Sequence, residues 1–75
     1  MKRIIRGKEY DTDSSTVIYK RSFGSFGDPT GYEEILYQCP DGSYFLYSVG
    51  GAESKYPSES IKRMSRKSAE QWLSQ

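Results

Sequence analysis

The chain has 75 residues and a mass of 8.6 kDa, with 11 basic and 10 acidic side chains that give a net charge of +1. Leu, Ile, Val and Phe together number only 13, whereas aromatic residues make up 15% of the chain, so we predict one small domain over residues 1–75 with a core built from rings. Near-neutral charge and abundant rings argue against disorder, and no apolar run reaches the ~18 residues of a membrane span.

The first twenty residues predict a strand followed by a helix. Residues 3–6, Arg-Ile-Ile-Arg, favour a short strand that Gly7 ends. Thr12 is suited to cap a helix, because Asp13 would follow it in the first turn, where the helix dipole favours negative charge. We therefore predict a helix over residues 13–20, although three successive β-branched residues within it leave a strand open as the alternative.

The middle of the chain predicts a β-hairpin. Residues 22–32 contain three Gly and one Pro and should form an irregular connection. Strands are predicted at Glu33–Cys39 and Ser43–Val49, because the sequence Pro40-Asp41-Gly42 between them favours a turn. Alternation places apolar side chains on both faces of the hairpin. We therefore expect a central pair of strands, with a helix on one face and a loop or partner on the other.

The last fifteen residues predict an edge strand and a helix. Ser60–Met64 forms the strand, with Lys62 and Arg63 discouraging further pairing. Ser65 then caps a helix that packs an apolar stripe on the sheet. The stripe consists of Ala69, Trp72 and Leu73. The predicted fold is α+β in the order β-α-β-β-β-α, an antiparallel sheet with a central hairpin packed by the C-terminal helix.

Missing residue types limit the chemistry. The chain has no His and one Cys, so metal sites built on Cys and His are excluded. Cys39 has no His to activate it and is expected to be a half-buried strand residue. Asp11 with Asp13 falls short of a calcium-binding loop. We expect no catalytic residue, no metal and no cofactor, and therefore a protein that is not an enzyme.

Basic residues are concentrated in two segments. Residues 2–8 and residues 62–67 each carry four cations and no acid. If the first and last strands lie near each other, these eight cations gather on one side and can contact phosphates. The alternative is ordinary solvated charge. The candidate basic face consists of Arg3, Arg6, Lys62, Arg63, Arg66 and Lys67.

The region between the basic segments is acidic and rich in tyrosine. Residues 22–59 carry six acidic side chains against Lys55 alone. Carboxylates there could imitate phosphates toward a basic groove, and tyrosine is enriched where interfaces concentrate binding energy. The alternative is solvated carboxylates and rings packed in the core. The candidate acidic and aromatic face consists of Glu33, Glu34, Asp41, Tyr44, Tyr47 and Tyr56.

Several stretches resemble a family of small proteins from phages and other mobile elements. Residues 2–13 look like its K-x-I-I-x-G-K-x-Y-[DN]-T-[DE] start, and residues 33–47 resemble its E-E-x-L-Y and G-x-[WY]-F-L-Y hairpin. Residues 50–56 resemble its G-G-x-x-[ST]-K-Y loop, and residues 65–72 its S-x-x-x-A-x-x-W helix. Relatives tend to have acidic residues in the first turn of that helix, where this chain has Arg66 and Lys67. The resemblance implies the neighbourhood of anti-CRISPR and other anti-defence inhibitors.

The leading functional hypothesis is an inhibitor of this class in the host-cell cytoplasm, which blocks a protein or nucleoprotein effector sterically. The runner-up is a small accessory or regulatory protein that binds nucleic acid through residues 2–8 and 62–67. A third hypothesis is an assembly factor that dimerises through its hairpin. We expect a monomer or weak homodimer without a membrane partner.

Overall fold

The computed structural model describes residues 2–24 and 28–74, which contain six strands and one C-terminal helix. Two antiparallel sheets, one of two strands and one of four, account for the strands. The predicted α+β fold with antiparallel pairing is confirmed. The elements are β1 (Lys2–Ile5), β2 (Lys8–Asp11), β3 (Thr16–Phe23), β4 (Tyr32–Gln38), β5 (Tyr44–Gly50), β6 (Ser60–Met64) and α1 (Arg66–Leu73).

The predicted helix over residues 13–20 is wrong. Most of that stretch belongs to β3, so the order is six strands followed by one helix. The Asp11 side chain accepts the backbone N–H of Asp13 at 3.0 Å, and the Ser15 hydroxyl donates to the Asp11 carbonyl at 2.7 Å. The polar residues that indicated a helix cap therefore form a turn, and the β-branched residues after it take the strand conformation they favour.

The N-terminal segment is a hairpin rather than a single strand. β1 pairs with β2 in a register that sets Ile5 opposite Lys8. The two residues between the strands, Arg6 and Gly7, have φ angles of 52° and 77°. Two-residue hairpin turns of the I′ type require positive φ at both positions. Arginine is unusual in this conformation, which is why the sequence did not indicate this hairpin.

The four-stranded sheet has the order β3-β4-β5-β6, with all neighbours antiparallel. The predicted hairpin is its central pair, β4 and β5, and the predicted edge strand is β6. At the hairpin turn the N–H of Cys39 donates to the Ser43 carbonyl at 2.7 Å. Because β4 and β5 are each paired on both sides, the hairpin has no free edge through which a second copy could pair with it.

The two faces of this sheet carry separate cores. On the helix face, Leu36 and Leu46 pack with Ala69 and Trp72 of α1. Leu73, predicted to share the stripe, is 41% exposed. On the ring face, the N-terminal hairpin covers the sheet. Its buried cluster consists of Tyr10, Cys39, Phe45 and Ile61, with Ile5, Tyr37 and Tyr47 packed around it. Cys39 follows the last residue of β4 and is buried rather than half-buried, with 6% of its surface exposed.

Candidate functional site

The two basic segments lie next to each other. The guanidinium of Arg3 in β1 donates a hydrogen bond of 3.1 Å to the carbonyl of Ile61 in β6. Residues 3 and 61 are far apart in the sequence, and this bond connects the N-terminal hairpin to the strand that opens the second basic segment. This contact brings the first and last strands near each other through Arg3.

The cations surround β6 instead of lying on one plane. Lys62 is in register with Leu46 on the helix face, whereas Arg63 is in register with Phe45 on the ring face. Both are exposed, as are Arg3, Arg66 and Lys67. We call these five residues the basic rim. Arg6 lies at the tip of the N-terminal hairpin and is not part of this set.

Ion pairs neutralise only part of this charge. Lys2 pairs with Glu9 at 3.5 Å, and Arg66 pairs with Glu70 one helical turn away at 3.3 Å. Exposed pairs of this kind contribute about 0.2–1 kcal/mol and leave both groups accessible. Within residues 2–24 and 28–74, no ion pair engages the other basic side chains expected at the face: Arg3, Arg6, Lys62, Arg63 and Lys67.

A cleft of about 650 Å³ lies between the β4–β5 turn and the start of α1. Its described lining contains guanidinium, amide, phenol and hydroxyl groups, and it includes no carboxylate. All of these groups can donate hydrogen bonds, and the two guanidinium groups can bind phosphate in bidentate geometry. The polar lining residues are Tyr10, Gln38, Ser43, Tyr44, Arg63, Ser65, Arg66 and Ser68.

Lys8 fixes the hairpin turn at one border of this cleft. Its ammonium group donates to the Asp41 carboxylate and to the Ser43 hydroxyl. The hydrogen bond from Lys8 and a second one from the Ser43 N–H lower the pKa of Asp41 to about 2, and the same contact with Asp41 raises the pKa of Lys8. Asp41 is thus ionised and paired with Lys8, so its negative charge beside the cleft is offset by a cation within the chain.

The start of α1 carries positive charge. Ser65 caps the helix as predicted, because its hydroxyl oxygen accepts the N–H of Ser68 at 3.0 Å. The first turn contains Arg66 and Lys67 and no acidic residue. Cations at this end of a helix oppose its dipole at a cost of about 0.3–1 kcal/mol each. The helix dipole therefore does not favour this placement, which adds charge beside Arg63.

The acidic and aromatic residues predicted to form one face are dispersed. Glu34 is 8% exposed on the helix face, where its carboxylate accepts the Tyr56 hydroxyl at 2.8 Å and the Trp72 indole N–H at 3.4 Å. The neighbouring Glu33 pairs with Lys20 at 2.9 Å. Glu33 and Glu34 thus point to opposite faces, and Asp41 lies in the turn. The three carboxylates share no surface.

The three candidate tyrosines are also separated. Tyr44 lines the cleft and accepts a long hydrogen bond of 3.4 Å from the Gln38 amide. Tyr47 packs on the ring face, where burial and a hydrogen bond with Glu59 raise its pKa. Burial and the contact with Glu34 raise the pKa of Tyr56. Only Tyr44 among these three is placed beside the basic rim.

The sequence did not indicate the role of Arg21. Its guanidinium lies 4.1 Å from the centre of the Trp72 ring and donates to the Trp72 carbonyl at 3.0 Å. Arg21 is in register with Glu34, so its side chain lies on the helix face of the sheet, where Trp72 packs. The alternation of residues 16–23 would have placed it there once this stretch was interpreted as a strand.

No family model, no curated protein and no solved structure matches this chain. The resemblance to mobile-element proteins therefore stays a prediction. In the described part of the chain, no helix is long and apolar enough to cross a membrane.

Proposed function

We propose that this chain is a non-enzymatic binding protein whose basic rim contacts the phosphate backbone of nucleic acid. The observation that carries the proposal is the hydrogen bond from Arg3 to the Ile61 carbonyl. It sets Arg3 of the N-terminal basic segment against β6, so cations from three elements lie around this edge strand. Phosphate contacts by such cations supply most of the affinity in binding that does not depend on base sequence.

The cleft gives this surface a preferred position for a phosphate. Arg63 and Arg66 line it together with hydroxyl and amide donors and no carboxylate. Arginine binds phosphate through two parallel hydrogen bonds. Tyr44 lies in the same lining, where a phenol can donate to a phosphate or support an unpaired base by stacking. Binding is therefore expected to be salt-dependent and to show little preference for base sequence.

The proposal includes no chemical step. The cleft lining offers guanidinium, amide and hydroxyl groups, but no carboxylate, thiol or imidazole that would serve as a general base. The described residues also contain no group of three or more His, Cys, Asp and Glu side chains that could hold a metal ion. Stoichiometric binding requires only hydrogen-bond donors and positive charge, which the cleft lining provides.

The inhibitor role expected from the resemblance stays a prediction, and it would use the same surface. The three carboxylates proposed to imitate phosphates are dispersed, and Glu34 is buried. An anti-CRISPR or other anti-defence inhibitor built on this fold would therefore contact the nucleic acid of a nucleoprotein effector through the basic rim. Capture experiments would be needed to identify its protein partner, whereas binding to nucleic acid is measurable directly.

The test is fluorescence anisotropy with labelled single-stranded RNA and labelled duplex DNA. We expect binding that weakens steeply between about 50 mM and about 200 mM salt. Arg63→Glu should weaken binding at least tenfold. Lys55→Glu changes the net charge by the same amount at an exposed loop position and should change affinity about twofold or less, because it lies outside the basic rim.

Two results would overturn the proposal. One is the absence of binding to either probe at low salt. The other is an equal loss of affinity in Arg63→Glu and Lys55→Glu, which would mean that net charge and not the basic rim determines binding. Circular dichroism of both variants shows whether each retains the wild-type fold.

A further inference from the structure

The two edges of the four-stranded sheet are protected to different degrees. β6 has five residues, carries Lys62 and Arg63, and has its Ile61 carbonyl occupied by the Arg3 side chain. Short length, edge cations and a covering segment are the means by which proteins prevent further strand pairing. β3, at the opposite edge, has eight residues. Among the described residues, no backbone hydrogen bond outside the β3–β4 ladder engages it.

Exposed apolar side chains are concentrated on β3. Six large apolar side chains of the described residues are exposed, and four of them belong to this strand. Those four are Val17 at 55%, Ile18 at 38%, Tyr19 at 52% and Phe23 at 37% exposed. A long edge strand with apolar side chains is a template for pairing with another strand.

The two cations of β3 have partners within the chain. Lys20 pairs with Glu33 at 2.9 Å. Arg21 lies against the Trp72 ring and donates to the Trp72 carbonyl. A partner strand therefore needs no acidic residues. What remains uncovered on this edge is backbone hydrogen-bonding groups and apolar side chains, and a second β3 strand offers the same groups.

We propose that two copies of this chain pair through β3, antiparallel about a two-fold axis, to form a continuous eight-stranded sheet. The distribution of charge favours this occupant. The net charge is only +1, and the basic rim surrounds the far edge of the sheet, three strand spacings or about 14 Å from β3. Copies that meet at β3 therefore hold their basic rims at the two outer ends of the dimer.

Self-pairing also keeps the cations of the two β3 strands apart. With the two-fold axis at Tyr19, neither Lys20 nor Arg21 lies opposite its own copy, and like charges directly opposite would be destabilising. The register of β3 shifts against β4 between Val17 and Tyr19. This bulge belongs to the pairing of β3 with β4 and does not set the register between two β3 strands. A symmetric contact of this kind closes on itself, so it produces a dimer and not a filament.

A β3 dimer would carry two basic rims. The two rims of one dimer bind the same nucleic acid with higher overall affinity than either rim alone, provided that the nucleic acid is long enough to reach both. The dimer itself does not depend on the nucleic-acid function, because the groups that form it lie on the other edge of the sheet.

The experiment is sedimentation equilibrium of the full chain without nucleic acid, from micromolar to millimolar concentration. The wild type should have the mass of a dimer at the upper end. Val17→Lys should raise the dissociation constant at least tenfold, because it adds a desolvated charge to the paired edge. Ile4→Lys makes the same change at a 67% exposed position on β1 and should leave the dissociation constant unchanged.

Amide hydrogen exchange provides a second measurement that does not depend on the variants. In the wild type, protection of the β3 amides should rise with protein concentration, while protection of the β6 amides stays constant. A wild type that remains monomeric at millimolar concentration would overturn the proposal. So would an equal effect of Ile4→Lys and Val17→Lys, or concentration-dependent protection in β6 instead of β3.

Discussion

The two faces of the four-stranded sheet are held by different interactions. On the ring face, Phe45 has no exposed surface. Its ring meets the Tyr10 ring edge-on, with 5.7 Å between the ring centres, and stacks on the Tyr37 ring, with 5.0 Å between the centres. On the helix face, Leu36 is equally buried, but a carboxylate lies beside the aliphatic cluster. Glu34 accepts hydrogen bonds there from Tyr56 and Trp72.

This difference shows two ways of building a core from few aliphatic residues. Ring packing depends on shape and buried area, and it tolerates several arrangements of the aromatic planes. A buried carboxylate that accepts from α1 is directional, since the Trp72 indole N–H loses its acceptor if the helix shifts. The ring face should therefore contribute more of the stability, and the helix face should contribute more of the specificity with which α1 is placed.

The largest expected effect is at the ring face. Phe45→Ala should lower the free energy of unfolding by about 3–5 kcal/mol, because it leaves a cavity among rings that cannot close. A domain of this size has a total of about 4–11 kcal/mol. Urea denaturation followed by circular dichroism measures the loss. Val17→Ala, at a 55% exposed position, is the control and should change stability by less than about 0.5 kcal/mol.

An intermediate effect is expected at the helix face. Glu34→Leu should cost about 1–3 kcal/mol, because it leaves the Tyr56 hydroxyl and the Trp72 indole N–H without an acceptor. Glu34→Gln retains an acceptor oxygen and should cost less. Glu33→Leu is the matched control one residue away, where the exposed pair with Lys20 contributes at most about 1 kcal/mol. Equal losses at positions 33 and 34 in urea denaturation would show that the buried carboxylate does not position α1.

The smallest effect concerns the contact that joins the N-terminal hairpin to the β4–β5 turn. The pKa of Asp41 is lowered to about 2 by Lys8 and the Ser43 N–H, from an unfolded value of about 3.9. A lowered pKa in the folded state gives a stability contribution that is complete above the unfolded value and is lost as the pH falls toward 2. Asp41→Asn should therefore lower the free energy of unfolding at pH 6. At pH 2, where the wild type has lost most of this contribution, the variant and the wild type should differ little. A difference between variant and wild type that stays constant over this range in urea denaturation would contradict the assignment.

Local signals explain which parts of the fold could be predicted. The β4–β5 hairpin, β6 and the Ser65 cap depend on turn residues, alternation and capping within a few positions. The sequence predicts a helix over residues 13–20 because Thr12 and Asp13 fit a helix cap as well as they fit a turn. The β1–β2 hairpin depends on a positive φ at Arg6, which the residue type does not indicate.

The candidate site could be predicted only in part, because local sequence signals do not show which distant residues pack together. The two basic segments were visible as charge runs, but their contact depends on packing between the ends of the chain. The burial of Glu34 depends on Tyr56 and Trp72, which are 22 and 38 residues away. An exposed carboxylate and a buried one have the same local sequence pattern, so position along the strand alone did not distinguish Glu33 from Glu34.

The hydrogen bond between Arg3 and Ile61 also constrains the order of folding. It joins residues 58 positions apart, whereas the two central strands close over a short turn. Contacts of long sequence separation form late because ordering the intervening chain is entropically costly. We therefore expect the N-terminal hairpin to dock after the central strands have paired, so that the contact between Arg3 and β6 forms late in folding.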